Sequence, residues 1–142
     1  MRRPATILVV EDQPDQMAFT THALKGAGYQ VVVAYGGDDA IRKVGTQKID
    51  LVVTDLAMPN VSGVEVVTKI KSNPVTQPIP VIVTTAYAWD QMGHMAVEAG
   101  CDAYINKPFS ARRLVEEVQK QLEQKRPSDL PSAPGGPLRL KL

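Results

Sequence analysis

The chain has 142 residues, the size of one ordinary domain: long enough to bury a core and too short for two full ones. Sixteen Lys and Arg against fifteen Asp and Glu leave a formal charge of +1, which excludes the strongly basic surface of an autonomous nucleic-acid binder and makes any charge-driven function local. The single Cys101 can form no internal disulfide and lacks the neighbours of a zinc site, so a reducing compartment, the cytoplasm, is expected.

The chain opens on MRRPATILVV, whose apolar part is too short for a signal peptide, and no stretch is long enough to span a bilayer. TILVV (6–10) reads as a first strand. Met17, Thr21 and Leu24 then follow at helical spacing, with Gly26 and Gly28 as the stop. QVVVAY (30–35) is a second strand and Ile41 with Val44 marks a second helix. DLVVT (50–54) is a third strand, and SGVE (62–65) reads as a capping box that starts a third helix through Val64, Val67 and Ile70. PVIVTT (80–85) is a fourth strand, Met92, Met95, Ala96 and Ala99 a fourth helix, AYIN (103–106) a fifth strand, and Leu114, Val118 and Leu122 a fifth helix. None of the strands alternates with polar residues, the mark of strands covered on both faces. Strands alternating with helices therefore predict βα units with right-handed crossovers in a doubly wound α/β domain. From Pro127 onward the segment is rich in Pro and Gly and is expected to be a tail without fixed structure, so the domain spans 1–126 and the tail 127–142.

In an open parallel sheet every strand delivers its next residue to the same edge, where ligands bind. That edge should gather Glu11 and Asp12, Asp55, Thr84 and Thr85, and Lys107. Taken singly, Asp12 could cap a helix, Asp55 could form a turn, and Lys107 could be a solvated surface side chain. Together they are three carboxylates whose mutual repulsion, roughly 3 kcal/mol for a pair about 5 Å apart, calls for a cation. An all-oxygen set suits a hard divalent ion, and Mg2+ in particular goes with phosphoryl chemistry, in which an Asp can itself be the nucleophile.

VVEDQPD, LVVTDLAMPNVSG, VIVTTA and YINKPF, in this order over residues 5–125, resemble the receiver domain of two-component response regulators, the CheY-like family. The resemblance, and not the periodicity, implies a five-stranded sheet in the order 2-1-3-4-5 with five helices in a flavodoxin-like three-layer sandwich. It implies Asp55 as phosphoacceptor, Glu11, Asp12 and Asp55 with the Ala57 carbonyl as ligands of Mg2+ (or Mn2+ in its place), and Thr85 and Lys107 as contacts of the phosphoryl group. Glu11 is one methylene longer than the Asp common at its position, so its reach to the ion would run through water. The Lys107–Pro108 peptide is often cis in this family.

The resemblance further implies a switch in which Thr85 and Tyr104 remodel the face made by the fourth helix, fifth strand and fifth helix. That face, with Trp89, the Met92 helix and Arg112 or Arg113, would dock a downstream protein or a second copy of the chain. The first helix, Gln16 to Leu24, would receive a histidine kinase or histidine phosphotransfer protein. Ala57 and Tyr87 flank the phosphoryl site and would tune dephosphorylation, a bulky Tyr87 slowing it. His22 reads as a surface residue and not a phosphohistidine, His94 and Cys101 read as structural, and direct nucleic-acid or membrane binding is not expected. The chain is thus expected to be a self-phosphorylating switch and not a turnover enzyme. The alternative is a receiver piece of a larger hybrid kinase or multidomain regulator, with the tail as linker. A flavodoxin-like cofactor binder would want Gly and hydroxyl residues where EDQPD stands, and an Asp phosphatase would want a second Asp at position 57.

Overall fold

The computed structural model describes residues 3–86 and 91–125. Its elements are β1 (Thr6–Val10), α1 (Pro14–Gly26), β2 (Gln30–Ala34), α2 (Gly37–Thr46), β3 (Leu51–Asp55), α3 (Gly63–Ser72), β4 (Val81–Thr85), α4 (Gln91–Ala99), β5 (Ala103–Asn106) and α5 (Ala111–Lys125). All five strands pair in parallel in the order β2-β1-β3-β4-β5. Tyr87, Trp89 and the segment 127–142 lie outside the described residues.

The unbroken apolar strands explain the layering. Successive side chains point to opposite faces, so Ile7, Val9, Leu51, Val53, Ile82 and Ile105 pack with Met17 and Leu24 of α1 and Leu114 and Val118 of α5. Leu8, Val10, Val52, Val81 and Val83 pack on the other face with Ala40 and Val44 of α2, Val66, Val67 and Ile70 of α3, and Ala96 of α4. Each sheet face is thereby sealed, and polar strand residues are left for the strand ends.

Helix boundaries follow local chemistry. Gly28, at φ 97°, turns the chain after α1 in a conformation that glycine adopts without strain. The Ser62 hydroxyl accepts the Glu65 N–H while the Glu65 carboxylate accepts the Ser62 N–H, the reciprocal box expected at the start of α3. Some expectations shift. Asp55 is the last residue of β3 and not the first beyond it, Pro80 stands outside β4, and Asp50 stands outside β3, its carboxylate accepting the Thr6 N–H at 2.8 Å. On α1 it is Thr20, not Thr21, that is buried. Met95 is 45% exposed, because α4 faces the core through Met92, Gly93, Ala96 and Ala99, a stripe that leaves position 95 to the side.

Lys71, near the end of α3, ties three segments together. Its ammonium donates to the carbonyls of Gln77 (3.0 Å) and Ile79 (2.8 Å) and pairs with Asp102 at 3.0 Å, while the same Asp102 oxygen accepts the Val81 N–H that opens β4. Lys71→Met would leave these acceptors without their cation. Since Asp102 keeps some solvent, the expected loss is about 2 kcal/mol, below the cost of breaking a fully buried pair, read as a lower urea midpoint at unchanged slope.

Candidate functional site

Parallel register brings the strand ends to one edge. Val10 pairs with Thr54, Asp55 with Thr84, and Thr85 with Asn106, so Glu11, Asp12, Asp55, Thr85 and Lys107 meet beyond the carboxyl ends of β1, β3, β4 and β5. The Glu11 N–H donates to the Ala34 carbonyl at 3.0 Å and continues the β1–β2 ladder into the acidic pair, while the Lys107 N–H donates to the Thr85 carbonyl at 2.8 Å. Lys107–Pro108 is cis, as the resemblance implies.

One carboxylate oxygen each of Glu11, Asp12 and Asp55 lies within 4.8 Å of the others. Glu11 and Asp55 are 3% and 7% exposed. Lys107 sits between them, its ammonium 3.2 Å from Glu11 Oε1 and 3.2 Å from Asp55 Oδ1. Glu11 Oε2 accepts the Gln13 N–H at 3.1 Å, and Asp55 Oδ1 accepts the Leu56 N–H at 2.8 Å. Asp12 Oδ1 is buried with no hydrogen-bond partner among the described residues. The local readings considered for Asp12 and Lys107 do not hold. Gln13, not Asp12, is the N-cap of α1 and it caps through no side chain, and Lys107 is mostly buried between two carboxylates.

Two charges 4.8 Å apart repel by about 3.5 kcal/mol at an effective dielectric near 20, and one ammonium cannot offset three carboxylates. Burial, and then the neighbouring Asp55, push the Glu11 carboxyl above its ordinary value, against the opposing pull of the Gln13 N–H and Lys107. A buried carboxylate oxygen without a donor is costly in a finished fold. The donor set is entirely oxygen, its charge is in excess, and one oxygen is unspent, so the residues fit a hard divalent cation.

The remaining positions are placed as follows. Thr85 is buried at the end of β4, and Ala57 is exposed on the loop after β3. Tyr104 is half-buried opposite Val83 and packs on the apolar layer that holds Met92 and Ala99. His22 and His94 are exposed on α1 and α4. Cys101 is half-buried with its thiol pushed up to about 11, first by burial and then by Asp102, so it is no nucleophile. Two parts of the site were missed in the sequence: the Leu56 N–H that orients Asp55, and Gly63, whose Cα lies against the Asp55–Leu56 backbone. A backbone donor leaves no trace in residue identity. Gly63 did leave a signal, a poor helix former directly after the Ser62 cap.

A family model described as the response regulator receiver domain matches residues 7–119. The chain is 31% identical over 119 residues to the polar-differentiation response regulator DivK of Brucella anthropi, covering 84% of this chain and 97% of that one. It is 38% identical over 125 residues to a protein of Vibrio cholerae named "Probable cyclic di-GMP phosphodiesterase", covering 88% of this chain but only 28% of that longer protein. Among solved structures, the receiver domain of sensor histidine kinase PA1611 from Pseudomonas aeruginosa, with a magnesium ion coordinated in its active site cleft, superposes with a TM-score of 0.80 at 27% identity over 84% of this chain and 98% of that one. A sheet in this order, with an acidic edge answered by Lys107 and matched over nearly its whole length by these proteins, makes the chain a member of the response regulator receiver domain family of two-component signalling.

Proposed function

We propose that Asp55 accepts a phosphoryl group, making residues 1–126 a receiver unit that works as a switch. The observation that carries this is the held state of Asp55: its Oδ1 is fixed by the Leu56 N–H and by Lys107, and neither donor engages the other oxygen. That oxygen attacks phosphorus while the bond from phosphorus to the donor breaks, the electron pair leaving on the imidazole nitrogen of a phosphohistidine or on the leaving oxygen of a small acyl phosphate. Lys107 then faces the new charge, and the Thr85 hydroxyl supplies a donor to a phosphoryl oxygen. Glu11, Asp12, Asp55 and the Ala57 carbonyl would hold Mg2+, with Mn2+ as a substitute. Both Glu11 oxygens already accept protein donors, which supports its reaching the ion through water. The bound ion neutralises charge on the transferring group. The magnesium in the PA1611 receiver supports this assignment.

Thr85 and Tyr104 would carry the change to the face of α4, β5 and α5, where a downstream protein or a second copy docks; exposed Met95, Val97 and Arg112 support such a face. A histidine kinase or phosphotransfer protein would approach along α1. No helix among the described residues is long and apolar enough to cross a membrane. The second reading, a receiver within a larger regulator or hybrid kinase, is favoured by the chain's spanning only 28% of its Vibrio relative.

Incubation with acetyl phosphate and Mg2+ is expected to add one phosphoryl group to the wild type and none to Asp55→Ala, read by intact mass. An unmodified wild type refutes the proposal. Amide shift mapping of the same preparation reads the docking face, which an unchanged α4, β5 and α5 would exclude. Its decay with and without Tyr87→Ala reads the tuning role, which equal decay would exclude.

A further inference from the structure

The loop between β3 and α3 carries Ala57 and follows directly on Asp55, and it is enclosed by two glycines from different helices. Gly63 opens α3, and its N–H donates to the Leu56 carbonyl at 2.8 Å. A Cβ there would overlap the Asp55 carbonyl oxygen and come within 2.7 Å of Leu56 Cα. Gly37 opens α2, and a Cβ there would lie 2.5 Å from Val61 Cγ1 and 2.7 Å from the Val61 carbonyl. Neither glycine has a φ in the left-handed region, so each is required for space and not for conformation. The bend between the two contacts is made by Asn60, whose φ of 68° is a left-handed value that Asn tolerates.

The Asp55–Leu56 backbone pressed by Gly63 also sets the acceptor. The Leu56 N–H is shared between the Thr84 carbonyl at 3.1 Å and Asp55 Oδ1 at 2.8 Å, and the Asp55 carbonyl accepts the Thr54 hydroxyl at 2.9 Å. A Cβ on residue 63 meets backbone, which cannot rotate away as a side-chain tip can, so it would turn the peptide that aims the carboxylate. On the reading of Asp55 as phosphoacceptor, we infer that Gly37 and Gly63 clamp the β3–α3 loop and that Gly63 is a positioning residue for the Asp55 carboxylate.

In the test, Gly63→Ala is compared with wild type and with Val67→Ala, a core truncation one turn further along the same helix. Two readouts are taken below all melting transitions: the Leu56 amide proton resonance, and the rate of labelling by acetyl phosphate at saturating Mg2+. Gly63→Ala is expected to shift the Leu56 resonance upfield and to slow labelling by at least about tenfold, the scale of effect that a misplaced reacting group has. Val67→Ala, although destabilised, should keep both. A folded Gly63→Ala with the wild-type resonance and rate overturns the inference, as does equal loss in Val67→Ala. Should Gly63→Ala fail to fold, Gly37→Ala reads the other end of the clamp, where the added Cβ meets the Val61 side chain and carbonyl. A smaller shift and slowing support the inference, and wild-type values overturn it. Absence of label on the wild type removes the phosphoacceptor reading instead, and the Leu56 resonance still decides the clamp.

Discussion

Replacing Asp12 by Ala is expected to abolish Mg2+ binding and, in the metal-free protein, to raise the melting temperature. The two effects share one cause. Asp12 Oδ1 is buried without a donor among the described residues and belongs to a triad whose oxygens lie within 4.8 Å, so in the absence of a cation its charge is opposed by Glu11 and Asp55. Lys107 contacts the other two carboxylates, and its help is not lost with Asp12. The full repulsion of a pair at this distance is about 3.5 kcal/mol, and solvent at the half-buried Asp12 reduces it. A gain of about 1–2 kcal/mol is expected, near 5 °C for a domain of this size. Mg2+ at a hundredfold over its dissociation constant should add about 2.7 kcal/mol to the wild type and nothing to the variant, so the order of stability inverts when metal is supplied. Calorimetric melts in chelator and in excess Mg2+ measure both states. A variant less stable than the wild type in chelator would remove the electrostatic account of the site.

The acidic edge could be read from the sequence because the strands contain no charged residue before their ends. In Leu51–Asp55 the only charge is the last residue, and the rule that parallel strands open on one edge did the rest. Strand neighbours could not be read this way: periodicity reports burial, and Ile7 and Ile82 look alike in sequence although β1 and β4 are separated by β3. The order came from the family resemblance. Met95 shows a second limit. Helical spacing admits it to the apolar stripe, but the buried line of α4 runs through small Gly93 and Ala96 and leaves Met95 outside. Lys71, Asp102 and the Leu56 N–H were illegible for a common reason. Their roles are contacts between segments, set by the packed backbone and carried by residue types that are ordinary at those positions.

Lys107→Met is expected to lower phosphoryl labelling by at least about a hundredfold, as loss of a preorganised charge at a reacting centre does, and to destabilise the metal-free protein in a pH-dependent way. The ammonium is 3.2 Å from both Glu11 and Asp55, and its removal leaves two buried carboxylates facing one another. A broken buried pair costs about 3–5 kcal/mol. Here Glu11 offers relief by taking up a proton, because burial and Asp55 already hold its carboxyl above the ordinary 4.5, and Lys107 is among the influences that restrain it. About 2 kcal/mol near neutral pH is therefore expected. A carboxyl whose folded value is raised contributes stability that is complete below its unfolded value and is lost as pH rises through the folded one. Without Lys107 the folded value climbs further, so the variant's deficit should be largest near pH 8 and shrink as pH falls toward 4.5, where a proton on Glu11 replaces the lysine. Urea midpoints of wild type and variant in chelator across this range give the difference directly. A deficit that is constant with pH would mean that Lys107 stabilises the fold by packing alone, and one that grows toward acid would reverse the role assigned to Glu11.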